Sequence, residues 1–352
     1  MFPRIAAALA LALALGSAHA QASAGLIFPV GSTSFPASHA STVVQLRDGS
    51  LMAAWFGGTE EGSPDVAIWT ARHTAAGWSA PVELAREPHV PCWNPVLFHS
   101  ADGRLWFYYK FGPNPLEWAA ARRYSLDEGR TWSPVERLPA GILGPIRAKP
   151  LVLPDGVIVS GTSFEAYLTR SIWIERSTDN GLTWTKIGPI LPAARPGHAA
   201  LPDDGIRTGL IQPSVVALGP RHLRLYARAT SDIARICVAD SYDNGLTWTH
   251  ARPLDLPNPN SGIDAIALRD GRVVLVYNDT ATGRTPLNLA VSRDGTHFRN
   301  FKILEDAPGE YSYPALIQDA KGDLDLTYTW NRQSIKYVHI PLAAVPQPPN
   351  GY

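Results

Sequence analysis

Short apolar runs, each followed within a few residues by a turn pair and then by a second β-rich stretch, recur six times along this chain. The runs are Val43-Val44, Val96-Leu97-Phe98, Leu151-Val152-Leu153, Val215-Val216-Ala217, Ala265-Ile266-Ala267 and Ala315-Leu316-Ile317. The pairs are Asp48-Gly49, Asp102-Gly103, Asp155-Gly156, Gly219-Pro220, Asp270-Gly271 and Lys321-Gly322, spaced 54, 53, 64, 51 and 51 residues apart. A pair of this kind between two β-rich segments signals a hairpin, with glycine supplying the positive φ of the turn. No helical period of comparable length competes with it.

A second pattern has the same period at another phase. Residues 125–132, 177–184 and 241–248 share Ser-x-Asp-x-Gly-x-Thr-Trp, and a worn copy occupies 292–298. The Asp carboxylate can accept turn N–H groups and the Gly can take a positive φ, so the motif predicts a tight structural turn. About 50 residues containing strand, hairpin, strand, strand, boxed turn and strand make one four-stranded antiparallel sheet. Six of these arranged radially predict an all-β chain forming a six-bladed β-propeller. A β-sandwich would not require the turn chemistry to recur at a fixed interval. Trp132, Trp184 and Trp248 are expected to pack between neighbouring blades.

Composition then narrows the setting. Arg4, the apolar run 5–15 and the small residues up to Ala20 read as a secretory signal over 1–20. The propeller is expected over 21–345, with a C-terminal tail over 346–352, in a secreted or periplasmic protein. No other segment approaches the roughly 18 consecutive apolar residues of a spanning helix. The 31 basic and 31 acidic residues balance and form no basic stripe, which argues against nucleic acid or a membrane surface as partner. A small polar ligand fits better, and the chain is expected to act as a monomer. Cys92 and Cys237 fall on different strands of non-adjacent units, which argues against a disulfide. The histidines show no ligand spacing, and Asp127, Asp179 and Asp243 are already used by turns, so neither a metal nor a cofactor is expected.

In a propeller the first strand of each blade lines the axis. Aligned one to three residues ahead of the apolar run, the six strands bring together Ser41, Asn94, Lys149, Gln212, Asp264 and Tyr313; two positions earlier lie His39, Cys92, Arg147, Leu210, Gly262 and Tyr311. Polar groups from remote parts of the chain thus converge on one depression, which is costly unless they bind something. Asn94, Arg147, Lys149, Gln212 and Asp264 are candidate substrate contacts. The Gly-rich stretch 55–65, with Glu60, Glu61 and Asp65, is a loop of the kind that carries function on a rigid scaffold.

The boxed turns in a six-unit β chain resemble the sialidase (neuraminidase) superfamily. Residues 56–62, 258–264 and 310–314 look like those of its bacterial BNR-repeat subgroup. The resemblance implies arginines for a substrate carboxylate, a tyrosine nucleophile assisted by a glutamate, and a carboxylic acid/base. Arg228 resembles the second arginine and Arg284 the third. Tyr311 matches the nucleophile by its Tyr-Ser neighbour, whereas Tyr313 matches it by distance to the following turn. Glu60 or Glu61 occupies the acid/base position. His39 stands where the first arginine is expected, and Gln212 stands in place of the assisting glutamate. An amide cannot accept a phenol proton, so a tyrosine beside Gln212 is expected near its ordinary pKa of about 10. With the resemblance these features imply an oligosaccharide or polysaccharide substrate and three functions: a glycoside hydrolase releasing a terminal acidic sugar, sialic acid-like or uronate, a polysaccharide lyase using His39 and a tyrosine for β-elimination beside a glucuronate, or a non-catalytic glycan-binding propeller.

Overall fold

Six hairpin turns begin the six sheets of the chain. In five of them the second member of the pair is a left-handed glycine, with φ between 84° and 100° at Gly49, Gly103, Gly156, Gly271 and Gly322; in the fourth unit Arg221 takes that conformation at φ 62°. The computed structural model describes residues 22–167, 169–193, 209–230 and 233–348. The expected signal segment and the last residues of the expected tail lie outside the described residues.

The architecture is a six-bladed β-propeller. Blade one pairs Ala37–Gln45, Leu51–Gly58 and Ala67–Thr74, with Gly77–Trp78 and Val82–Ala85 both against the third strand. Blades two to five are four-stranded and begin at Cys92–His99, Leu151–Val152, Leu210–Gly219 and Asp264–Ala267. Blade six has three strands of its own, Tyr311–Gln318, Leu324–Trp330 and Ser334–Ile340. Its fourth strand is Ser23–Leu26 from the other end of the chain, in antiparallel register with Ser23 opposite His339. Sequence reading took every blade to be contiguous, because period alone does not tell which strand closes a ring. The first strands of adjacent blades touch around the axis, as in blades one and two, four and five, and six and one.

The boxed turns have the expected chemistry. In blade two the Asp127 carboxylate accepts from Thr131 N (2.8 Å) and Thr131 Oγ1 (2.6 Å), while Ser125 Oγ accepts from Gly129 N at 2.7 Å. The turns also join blades, since their backbone carbonyls accept from the preceding blade: Tyr108 OH donates to Gly181 O at 3.0 Å and Tyr226 OH to Gly295 O at 2.6 Å. Trp132, Trp184 and Trp248 pack against clusters drawn from blades one and two, two and three, and three and four. Cys92 and Cys237 are buried thiols in blades two and four.

Candidate functional site

Four of the six innermost strands carry a bulge at the same height. The pairing register shifts between His39 and Thr42, Trp93 and Val96, Ile211 and Ser214, and Ser312 and Ala315. Within each bulge one residue is left-handed: Ala40 (φ 55°), Asn94 (φ 35°), Gln212 (φ 52°) and Tyr313 (φ 52°). In three of the four the next residue is proline, which ordinarily keeps its predecessor extended. A left-handed non-glycine residue costs on the order of 1–3 kcal/mol and persists only where its surroundings hold it. The bulge re-aims side chains, and Asn94, Gln212 and Tyr313 all line one hollow of about 210 Å³. The register also corrects the sequence alignment in blade one: Ala40, not Ser41, is the equivalent of Tyr313. Thr42, a polar residue, takes the first paired position after the bulge, where blades two and six have Val96 and Ala315, so an alignment on apolar residues slips by one.

Arginines from three blades line the same hollow. Arg228, on the second strand of blade four opposite Ile211, donates to Tyr313 OH at 2.7 Å, to Gln212 Oε1 at 3.1 Å and to Asn260 Oδ1 at 2.8 Å. Arg284, between strands of blade five, donates to Glu310 Oε1 at 2.7 Å. Arg332, in the turn after the second strand of blade six, donates to both Glu310 oxygens at 2.8 Å and to Glu61. The Arg228 and Arg284 guanidiniums lie 5.6 and 5.5 Å from the centre of the Tyr313 ring. Burial works against a phenolate at Tyr313, yet the Arg228 and Arg284 charges outweigh it and hold the phenol below its ordinary value. The expectation that Gln212 would leave this tyrosine near 10 is thus overturned, because the activating charge comes from arginines and not from a carboxylate.

His39 packs its ring 4.3 Å from that of Tyr313. Burial above all, then the positive charge of Arg332, Arg284, Arg228 and Arg147, holds its pKa well below 6.5, so it is neutral at neutral pH. Neither of its ring nitrogens has a hydrogen-bond partner among the described residues. His39, Glu60 and Glu61 line a second hollow of about 300 Å³, and Arg332 and Glu61 border both hollows. Gly57 and Gly58 start the acidic loop where a Cβ would come within 2.8 Å of Phe35 and of the Val66 backbone. Asp65 accepts from Thr59 N and Oγ1 at 2.9 Å and so braces the loop.

The remaining candidates lie elsewhere. Tyr311 is buried in the core shared by blades five and six, its N–H bonded to Arg284 O at 3.0 Å, and it borders neither hollow. Lys149 pairs with Asp264 at 2.9 Å near the axis; Asp264 also accepts from Ser214 Oγ at 2.7 Å and Leu316 N at 2.8 Å. Arg147 is buried behind Tyr313 and donates to the backbone carbonyls of Ile263 (2.7 Å) and Pro314. Lys149, Asp264 and Arg147 therefore join blades and do not face the hollow, since their charges are spent on partners inside the protein. Sequence reasoning missed Arg332, which sits in a turn without motif, and gave no role to Glu310, although residue 310 opens a stretch that carries the family resemblance. It also missed the far wall, formed by Trp93, Trp118 and the Glu165–Arg170 ion pair at 2.7 Å.

The sequence profile of the BNR repeat-like domain family matches residues 49–326. No curated protein matches the chain. Among solved structures, the NanB sialidase from Streptococcus pneumoniae superposes with a TM-score of 0.71 at 14% identity, over 91% of this chain and 71% of that one. A protein of unknown function from Dyadobacter fermentans does so at 0.73 and 17% identity, over 90% and 97%. The intramolecular trans-sialidase from Ruminococcus gnavus matches at 0.68 and 13% identity, over 92% and 98%. At such identities the likeness is one of fold.

Proposed function

Because the chain belongs to the BNR repeat-like domain family and gathers three guanidiniums about one tyrosine, we propose that it is a glycan-active enzyme that hydrolyses the bond to a terminal acidic sugar, a sialic acid-like or uronate residue. The observation that carries the reading is Arg228. It is 8% exposed, and its three partners among the described residues, Asn260, Gln212 and Tyr313, are all uncharged. A buried guanidinium without an anion is costly, and a sugar carboxylate over Tyr313 supplies that anion in fork geometry. Arg284 and Arg332, balanced by Glu310 and Glu61, stand beside it.

In this reading Tyr313 attacks the anomeric carbon as the phenolate that the Arg228 and Arg284 charges favour, while Glu61, protonated once the substrate carboxylate takes Arg332 from it, gives its proton to the leaving oxygen. Water then takes the sugar from Tyr313, its proton passing to Glu61 and the phenol oxygen departing as the leaving group. The test is incubation of the purified chain with sialosides and glucuronides, with mass detection of released acidic sugar. Wild type should turn over one class, and Tyr313→Phe and Glu61→Gln should each lose on the order of 10²–10³ in rate. Full activity in Tyr313→Phe, or no acidic sugar released by wild type, sinks the reading.

One observation favours a lyase as the second reading: neutral His39 lies against Tyr313 with both ring nitrogens unpartnered. Such an imidazole can take the C5 proton of a uronate while Tyr313 protonates the leaving oxygen, yielding an unsaturated sugar. Products with the ultraviolet absorbance of a conjugated double bond decide for elimination, and saturated products decide for hydrolysis.

A further inference from the structure

Beneath Tyr313 lies a buried set of charges that the proposed chemistry does not use. Lys110, fully buried on the second strand of blade two, sits opposite Trp93, as Arg228 sits opposite Ile211 in blade four. Its ammonium does not reach the hollow but donates to Pro145 O. Glu175, fully buried on the third strand of blade three, accepts from Leu143 N at 3.0 Å and Gly144 N at 2.5 Å. One short segment is thus gripped from two blades. Gly144 is left-handed at φ 64°, and a Cβ there would fall 2.7 Å from the Tyr108 ring, so the backbone has little room to shift. Burial pulls Lys110 down to about 7 and lifts Glu175 to about 7; each is drawn part of the way back by the other's charge, and Glu175 by Lys186 as well.

The gripped segment delivers Arg147. Ile146 N bonds to Gly161 O at 3.2 Å, and the next residue reaches across the axis. The Arg147 fork holds Ile263 O, at the entry of blade five, and Pro314 O, the carbonyl immediately after Tyr313. Its guanidinium lies 5.3 Å from the centre of the Tyr313 ring. Gly262 fills the angle between them: a Cβ there would lie 3.2 Å from Arg147 Nε and 3.4 Å from the Tyr313 ring. Tyr313 is left-handed before a proline, a conformation its own dihedral preferences disfavour. Something must hold it, and the fork on the following carbonyl is placed to do so.

The geometry points to Arg147, Lys110 and Glu175 as positioning residues for Tyr313: the buried pair sets segment 143–147, and the Arg147 fork locks the bulge so that the phenol meets Arg228. This rests on the reading of Tyr313 as the reacting group, and the test separates the two. Ionisation of Tyr313 is followed in the full chain by tyrosinate absorbance on raising pH, with the Tyr313→Phe titration subtracted. Wild type should show a Tyr313 step below the ordinary phenol value of about 10. Arg147→Lys keeps the charge but loses the two-armed fork, and should move the step up by about one unit, a tenfold loss of acidity. Glu175→Gln, and the Lys110→Met/Glu175→Leu double variant that replaces the buried pair with apolar groups, should move it in the same direction, with near-ultraviolet circular dichroism confirming the fold. A step unmoved in Arg147→Lys, or moved there but unmoved in both pair variants, overturns the proposal. A wild-type protein with no Tyr313 step below about 10 overturns the reading of Tyr313 itself, and this proposal with it.

Discussion

At the scale of single residues, Gln212 sets an amide, not a carboxylate, beside Arg228 and Tyr313. With an amide there, Arg228 keeps a net charge that acts on Tyr313 at 2.7 Å. Gln212→Glu should therefore neutralise Arg228 and set a like charge beside the phenolate, raising the phenol by about one unit or more. The tyrosinate titration reads this directly, and an unchanged or lowered step contradicts it. His39 gives a second test. Its folded pKa is depressed, so the unfolded chain binds the extra proton, and His39's contribution to stability is complete above about 6.5 and is lost as pH falls below that value. Melting temperature should fall between pH 7 and pH 5, and His39→Asn should flatten that fall. An equally steep fall in the variant would assign it to other groups.

At the scale of the element, the boxed turn is both a local fold and a fastener. Burial works against the Asp243 carboxylate, but hydrogen bonds from Thr247 and Ser241 outweigh it and hold the group at about 2. A depressed acid stabilises above its ordinary pKa near 4, and that contribution is lost as pH falls through about 2. Asp243→Asn should cost about 1 kcal/mol at neutral pH, at the lower end for charged hydrogen bonds because the turn is exposed, and should lessen the loss of stability in acid. Urea unfolding at pH 7 and pH 3 measures both. Local chemistry of this kind was legible from the sequence, since Ser, Asp, Gly and Thr at fixed offsets admit few backbone solutions. The bulges were not, because one inserted residue leaves the hydrophobic pattern intact while moving every side chain before it to the other face.

At the scale of the whole molecule, closure depends on contacts between parts of the chain far apart in sequence. Ser23–Leu26 completes the last blade, and Asp264 joins Lys149, Ser214 and Leu316 from blades three, four and six. Asp264→Asn removes the charge opposite Lys149, whose side chain is 24% exposed, and should cost about 1–3 kcal/mol, less than breaking a fully buried pair because water reaches the ammonium. Thermal unfolding checks this, and a loss under about 1 kcal/mol would mean that Lys149 finds another partner.

By itself the sequence determined the number of blades and the turn chemistry, because periodic hydrophobicity and turn residues are local properties that repeat; Arg228 and Arg284 came from the family resemblance, which left Tyr311 and Tyr313 both open. The fate of each charge was settled only in three dimensions. Arg147, Lys149 and Asp264 look like ligand groups along the chain, yet each spends its charge on partners inside the protein. Arg332 carries no motif and Glu310 was given no role, yet they stand at the hollow or bonded to its arginines. Whether a charged side chain serves the fold or faces a substrate depends on which acceptors lie within hydrogen-bond distance, and in a closed ring those acceptors come from blades hundreds of residues away.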